Sequence, residues 1–130
     1  MSRENVEVVR RASGRDMATT FFDSVDPEVE FDVSSSPGPL AGVYRGHADV
    51  REFFRKWMGS WEDYELEVEE LIDAGDSVVM VGWERGRGKG SGIRVENRVV
   101  SVWTFRNGKA IRIKRFSERA EALEAVGLRE

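Results

Sequence analysis

The sequence has no cysteine, a single histidine and three prolines among its 130 residues. Without cysteine there is no disulfide, thiol nucleophile or thiolate metal ligand, a pattern that agrees with a reducing cytoplasm. His47 is the only histidine, so the chain offers no zinc cluster or histidine-based triad. It stands at the start of a predicted helix, and we expect it to be exposed. We therefore predict no metal and no other cofactor.

Long hydrophobic runs are also missing. No stretch approaches the roughly 18 consecutive apolar residues that a membrane span requires, and the first residues lack the apolar core of a signal peptide. The net charge of −4, from 20 basic and 24 acidic residues, argues against a general nucleic-acid binder. The hydrophobic content of 40% and the charged content of 34% are typical of a globular protein. We expect one cytoplasmic domain over residues 1–130, with neither a membrane nor a nucleic acid as partner.

Apolar residues at helical spacing predict four helices. The first runs from Ser2 to Gly14, and the second follows Asp16 and is closed by Pro27. The third helix, from His47 to about Ser60, has the strongest pattern, with an apolar stripe of Val50, Phe53, Phe54, Trp57 and Met58. The fourth is capped by Ser117, bears Ala120, Leu123 and Val126, and stops at Gly127.

Alternating residues predict five strands, one before the third helix and four after it. The first covers residues 29–33 and is followed by a loop over 34–46. The second strand begins at Tyr64, which alternates with glutamates and shares the apolar face with Leu66 and Val68. The third covers Val78 to Val81, and the last two begin near Arg94 and Ala110. Asn107-Gly108 is a strong hairpin signal because both residues accept positive φ. A phase break at Leu71-Ile72 indicates a bulge. The order is ααβαββββα, an α+β fold in which a curved antiparallel sheet wraps around the helices.

Several segments resemble the SnoaL-like branch of the nuclear transport factor 2-like superfamily, whose fold is an α+β cone. They include Asp26-Pro-Glu-Val-Glu-Phe31, the stretch from Val43 to Phe54, Val102-Trp-Thr-Phe-Arg-Asn-Gly-Lys109, and the last helix. The resemblance implies a pocket for a small apolar or aromatic molecule between sheet and helices, and a homodimer formed through the sheet. The superfamily that the chain resembles includes isomerases, cyclases, dehydratases and non-catalytic binding proteins, and fold alone does not choose among these functions.

The resemblance to ketosteroid isomerases places Asp32 at the position of their carboxylate base. Their oxyanion pair is a tyrosine and a protonated aspartic acid. Ser101 stands at the position of that aspartate, and the first helix has no tyrosine, so steroid isomerisation is disfavoured. Strand parity places Asp32 opposite Phe31, which leaves two interpretations: a solvated carboxylate at a strand end, or a general base turned into the pocket.

Two polar residues fall on predicted buried faces. Ser101 shares its face with Trp103, where it bonds either to a ligand oxygen or to the backbone. Arg115 shares its face with Ile113, and a buried arginine needs a carboxylate partner such as Asp32 or a glutamate, an anionic ligand, or a route back to solvent.

Aromatic residues supply the remaining candidates. Trp57 and Trp103 are the tryptophans predicted to line the pocket, together with Phe31 and Phe54. The glycine-rich run over residues 86–92 lacks phosphate-loop spacing and predicts a mobile hairpin tip.

Two functional hypotheses follow. One is a cofactor-free isomerase or lyase with acid–base chemistry on a carbonyl compound, in which Asp32 is the base and Ser101 or Arg115 polarises oxygen. The other is a non-catalytic ligand-binding or dimeric interaction domain of the same fold.

Overall fold

A computed structural model of the chain describes residues 2–13, 17–36 and 38–128. The helices are α1 (Ser2–Ala12), α2 (Met17–Ser24), α3 (Gly46–Gly59) and α4 (Arg119–Ala125). The strands are β1 (Val25–Asp32), β2 (Val43–Arg45), β3 (Trp61–Asp73), β4 (Ser77–Gly88), β5 (Arg94–Arg106) and β6 (Lys109–Phe116). The predicted order is confirmed, with the short strand β2 added from within the predicted loop. The predicted helix signals at Gly14 and Asp16 lie outside the described residues.

The strands form one curved, unclosed sheet in the order β2-β1-β6-β5-β4-β3. The predicted hairpins from β3 to β6 are antiparallel, and Asn107 and Gly108 have φ values of 53° and 78°, as the turn between β5 and β6 requires. Among the described strands, β1 and β6 are the one parallel pair, which differs from the antiparallel pairing expected throughout. A parallel neighbour needs a long connection, and here the connection is most of the chain.

The first strand begins earlier than predicted. Val25 and Pro27 belong to β1, whereas the sequence pattern assigned them to the second helix and its end. The β1–β6 register shifts between Val25 and Glu30, and such an irregular stretch accommodates a residue without an N–H group. The bulge predicted in β3 occurs between Val68 and Glu70, slightly before the expected place.

The main core lies between the inner face of the sheet and helices α1 to α3. From α3, Val50 and Phe53 are buried and Phe54 and Trp57 pack partly buried against them, which confirms the predicted apolar stripe except for Met58, which is 40% exposed. Complete burial of one such side chain stabilises the fold by roughly 1.5–3 kcal/mol. Helix α3 therefore packs against the concave face of the sheet.

The outer face of the sheet has two parts. Near α4, Val79, Val81, Val100 and Val102 form a second apolar cluster under Ala122 and Leu123 of the helix. Here the predicted stripe is corrected, because Ala120 is exposed and Ala122 is buried. The rest of the outer face carries a network of ion pairs, in which Arg85 pairs with glutamates of β3 and β5, and Arg98 contacts Glu69 at 3.1 Å.

Candidate binding cavity

A cavity of about 110 Å³ lies between the inner face of the sheet and the helices. Its wall is largely apolar and is contributed by α2, α3 and strands β1 and β3 to β6, through Phe21, Phe31, Phe53, Phe54, Trp57, Leu66, Met80, Val99, Trp103 and Ile113. All six predicted ligand-binding residues, Phe31, Phe54, Trp57, Ser101, Trp103 and Arg115, stand in this lining. Their role in binding stays a prediction.

The aromatic side chains of the wall support one another. The ring centroids of Phe31 and Phe53 are 5.1 Å apart, and those of Phe21 and Phe54 are 5.0 Å apart with the planes at 75°. Trp57 is stacked on Phe53 at 6.2 Å. Tilted, edge-to-face and stacked contacts of this kind are favourable for aromatic rings, so the rings stabilise one another in the cavity wall.

A carboxylate lies at the polar end of this cavity. Glu84 is only 3% exposed, and its Oε2 accepts a hydrogen bond of 2.9 Å from the hydroxyl of Tyr64. Its Oε1 accepts one of 3.3 Å from Nη2 of Arg115, which also donates to the carbonyl oxygen of Arg98 at 3.2 Å. The carboxylate partner that Arg115 was predicted to need is therefore a glutamate and not Asp32. A buried charge of this kind is tolerated because it is paired and hydrogen-bonded.

Tyr64 is held as a neutral donor in this cluster. Burial raises the pKa of its phenol and the nearby Glu84 carboxylate raises it further, while the hydrogen bond with Trp57 opposes them. The net effect is a pKa well above the ordinary value, so the hydroxyl keeps its proton throughout the physiological pH range.

Ser101 adjoins Arg115 on the next strand. The two are register partners in the β5–β6 pair, and both face the cavity. Ser101 is 6% exposed, and its Oγ accepts a hydrogen bond of 3.1 Å from the indole Nε1 of Trp103. Its structural partner is thus a side chain and not the backbone, and accepting that bond leaves the hydroxyl proton available to donate.

Asp32 lies elsewhere. The described lining of the cavity does not include it, which corrects the idea of a base turned into the pocket. It is not solvated either, because its side chain is 11% exposed and its Oδ1 accepts hydrogen bonds from the backbone N–H of Ser34 at 3.0 Å and from the Ser34 hydroxyl at 2.6 Å. Burial alone would raise the pKa of Asp32, but the two Ser34 bonds and the charges of Lys114 and Arg112 together hold it below its ordinary value. Asp32 therefore closes the turn after β1.

The structure also places the other residues that the sequence singled out. His47 is half-buried and not exposed, with its Nε2 atom 3.2 Å from the carbonyl oxygen of Val25. Trp83 lies on the outer face and donates to Glu69 at 3.0 Å. Part of the glycine-rich run continues β4, and the backbone N–H of Lys89 donates to Ser60 at 3.0 Å. Among the described residues, no group of three or more His, Asp or Glu side chains is arranged to hold a metal ion.

The comparison with family models gives a decisive match, because the model of the SnoaL-like domain matches residues 6–113. The chain belongs to the SnoaL-like domain family. A search of curated protein sequences gives no significant match. None of the helices in the described part of this SnoaL-like chain is long and apolar enough to cross a membrane.

Solved structures agree with the assignment and show the nuclear transport factor 2-like fold. TerC, co-crystallized with polyporic acid, is 25% identical, with 95% of this chain and 98% of that chain covered and a TM-score of 0.75. A nuclear transport factor 2-like protein from Burkholderia pseudomallei K96243 is 27% identical, with coverage of 96% and 93% and a TM-score of 0.68. A Jannaschia sp. CCS1 protein assigned as a SnoaL-like polyketide cyclase, 20% identical with coverage of 96% and 92%, shares the fold at a TM-score of 0.77.

Two polar residues of this SnoaL-like cavity were not predicted as site residues. Tyr64 was expected on the buried face of β3, but only as a core residue. Glu84 was overlooked because the predicted strand ended at Val81, whereas β4 continues to Gly88. Extending the strand places Glu84 on the same face as Met80, and this parity is the signal that would have found it.

Proposed function

We propose that the chain is a small-molecule-binding domain whose cavity takes a ring-bearing molecule with an oxygen function at its polar end. The observation that carries this proposal is the Glu84 carboxylate, 3% exposed at the polar end of a cavity whose wall is largely apolar and aromatic. Pockets of small-molecule-binding proteins have this composition, apolar walls with a few convergent polar groups. TerC, which is 25% identical, was co-crystallized with polyporic acid, and this supports a small-molecule ligand here.

The arrangement suits acid–base chemistry on a carbonyl compound, and here Glu84 takes the role that the sequence suggested for Asp32. Arg115 and Ser101 would donate hydrogen bonds to the carbonyl oxygen and stabilise negative charge as it develops there. With a β,γ-unsaturated ketone as substrate, Glu84 would remove a proton from the carbon between the carbonyl group and the double bond, which gives a dienolate. It would return that proton to the γ carbon, and the double bond would move into conjugation with the carbonyl group. The overall reaction is an isomerisation that needs no cofactor.

The experiment uses acetophenone as a probe, because its methyl protons lie next to a carbonyl group. In D2O, the wild-type protein is expected to speed the exchange of these protons for deuterium, as followed by proton NMR. Glu84→Gln should abolish the acceleration, whereas Asp32→Asn should keep most of it. Equal acceleration by wild type and Glu84→Gln would refute Glu84 as the base.

Arg115→Met should weaken the binding of acetophenone in equilibrium dialysis about tenfold, because hydrogen bonds to charged groups contribute roughly 1.5–3 kcal/mol. The matched control is Arg112→Met, on the same strand but in contact with Glu30 and not with the cavity. Binding that is equal in the two variants would exclude Arg115 as the oxygen donor.

A non-catalytic binder is the second candidate, and the closed hydrogen-bond network favours it. Both oxygens of Glu84 already accept hydrogen bonds, from Tyr64 and Arg115, and Ser101 accepts one from Trp103. A network satisfied in this way holds its groups in place without a ligand. Acetophenone that binds without any acceleration of exchange would select this candidate.

We also propose the homodimer through the sheet that the resemblance implied. The outer face available to a second copy is the ion-pair network around Arg85, with its partners Glu67 and Glu96. Contacts between such charged faces weaken with salt. Sedimentation velocity at about 0.05 and 0.5 M salt, a range over which the Debye length falls severalfold, should therefore show more dimer at the lower concentration. A monomer under both conditions would refute the dimer.

A further inference from the structure

The charges at the polar end of the cavity balance. Among the described residues that line it, the charged side chains are one carboxylate and one guanidinium, those of Glu84 and Arg115. Their contact of 3.3 Å is the one ion pair that either of them forms within the described ranges. Tyr64 is the other titratable residue of this lining, and it stays neutral because burial and the Glu84 carboxylate raise the pKa of its phenol. The polar end therefore carries no net charge.

Within the part of the chain that the structure describes, no further charge faces this pair. Arg115 of β6 and Tyr64 of β3 are the titratable groups turned towards Glu84 of β4, and the described parts of α1, α2, α3, β1 and β5 contribute only uncharged side chains to the lining. The next residue on β4, Arg85, points the other way and belongs to the ion-pair network of the outer face. The Glu84 side chain is 4% exposed and that of Arg115 19%, so a charge that enters this site is screened only weakly by solvent.

The ion pair still offers hydrogen bonds to a ligand. The bonds that Arg115 makes with Glu84 and with the carbonyl oxygen of Arg98 both use Nη2, and a guanidinium group has N–H donors on all three of its nitrogens. Ser101, the register partner of Arg115, has a hydroxyl proton to donate as well. A neutral ligand oxygen can therefore accept hydrogen bonds here while the charges stay balanced.

A ligand carboxylate meets a different situation. It would place a second negative charge beside a single guanidinium, which Glu84 already neutralises. Two carboxylates that share a poorly hydrated site do not both keep their charge, and one of them takes up a proton. Binding of an anion here therefore requires either a proton or the loss of the Glu84 charge.

We propose that Glu84 makes the cavity selective for uncharged ligands: a neutral carbonyl compound binds as it is, whereas a carboxylate of the same size binds only together with a proton. Glu84 is then the residue that determines specificity, because it holds the one cation of the described lining in an ion pair. A like charge placed against the wrong ligand is a common way for a site to reject it. This inference rests on the proposed function, since the ligand oxygen lies at the same polar end.

The test compares acetophenone with benzoate, which has the same number of non-hydrogen atoms and carries a carboxylate in place of the acetyl group. Dissociation constants are measured by NMR titration of ¹⁵N-labelled protein at pH 6 and pH 8, both above the ordinary carboxyl range, so that benzoate in solution is ionised. The indole N–H of Trp103 reports on the cavity, and that of Trp83 reports on the outer face. The wild-type affinity for acetophenone should be equal at the two pH values. The wild-type affinity for benzoate should fall about a hundredfold from pH 6 to pH 8, because uptake of one proton lowers the affinity about tenfold per pH unit.

Glu84→Gln removes the charge and keeps the size of the side chain. At pH 8 the ratio of the benzoate affinity to the acetophenone affinity should be about tenfold higher than in the wild type, or more, because Arg115 is then free to pair with the ligand carboxylate. The pH dependence of benzoate binding should disappear in the same variant. Glu67→Gln is the matched control, because it changes the net charge equally but lies on the outer face, where its side chain is 57% exposed. This control should behave as the wild type.

Two results would overturn the inference while leaving the proposed function intact. One is binding of benzoate to the wild type with the same affinity at pH 6 and pH 8, and this measurement decides alone if Glu84→Gln does not fold. The other is an equal ratio of benzoate to acetophenone affinity in the wild type and in Glu84→Gln. Failure of acetophenone to bind in the cavity would instead refute the proposed function and this inference together.

Discussion

The pairing of Glu84 with Arg115 leads to a quantitative prediction about stability. The side chains are 4% and 19% exposed, so the pair is largely removed from water. Breaking a buried pair is costly because it leaves one charge without a partner, whereas replacing both members by apolar residues of similar size is often neutral. Methionine has a suitable size for both positions.

We expect Glu84→Met and Arg115→Met each to lower the free energy of unfolding by roughly 2–3 kcal/mol. The value lies below that of a fully buried pair because Arg115 keeps some contact with water and with the carbonyl oxygen of Arg98. The double variant should lie within about 1 kcal/mol of the wild type, a residual loss that reflects the hydrogen bond from Tyr64 that has no acceptor. The resulting interaction free energy between the two sites is about 3–5 kcal/mol.

The assay is urea denaturation of the wild type, both single variants and the double variant, with equal m-values as the check that two-state unfolding holds. An exposed pair provides the control cycle: Arg87 contacts Asp63 at 2.7 Å, with the side chains 46% and 71% exposed. The variants Arg87→Met and Asp63→Asn should couple by no more than about 0.5 kcal/mol. If the double variant at Glu84 and Arg115 loses as much stability as the two single variants combined, the account of the buried pair is wrong.

Three further predictions concern the turn after β1 and the glycines. Ser34→Ala should raise the pKa of Asp32 towards its ordinary value, as measured by carboxyl NMR titration, and should cost about 1 kcal/mol at pH 7. Because the folded-state pKa is the lower one, this stability is present above the unfolded-state pKa and is lost as pH falls through the folded value, so variant and wild type should converge in acid. Gly86→Ala should destabilise the fold by about 1–3 kcal/mol and shift tryptophan emission, since the new Cβ meets Trp61. Gly59→Ala, with open space around its Cβ, should instead stabilise α3 by about 0.5–1 kcal/mol. A lower free energy of unfolding in urea denaturation would contradict this prediction.

Periodicity predicted the elements that bury one face. The stripe from Val50 to Trp57 identified α3, and Asn107-Gly108 identified the β5–β6 hairpin, because each pattern reports a local requirement of backbone or burial. The parallel pairing of β1 with β6 has no such local signal. Nothing in the alternation of residues 29–33 states which distant strand they join.

The candidate site was predicted in its apolar part and only partly in its polar part. Parity correctly placed Ser101 and Arg115 on the inner face, and it also placed Asp32 on the face away from Phe31. The resemblance to ketosteroid isomerases instead suggested a base inside the pocket at Asp32. In the structure Asp32 is absent from the cavity lining and bonds to Ser34, as strand parity predicted. Glu84 was not predicted because a charged residue normally marks the end of a buried stretch of strand. Here the hydrogen bonds from Tyr64 and Arg115 allow its carboxylate to be buried on the inner face.

The place of β1 in the sheet has a consequence for synthesis. This early strand lies between β2 and β6, and β6 is the last strand in chain order. Throughout translation β1 therefore has only the three-residue strand β2 beside it until residues 109–116 have left the ribosome. Arg115 arrives with the same segment, so the apolar wall stays open and the polar end stays incomplete until then. A nascent chain that stalls before β6 should expose this aromatic surface to chaperones, and ligand binding should begin only once β6 has joined the sheet.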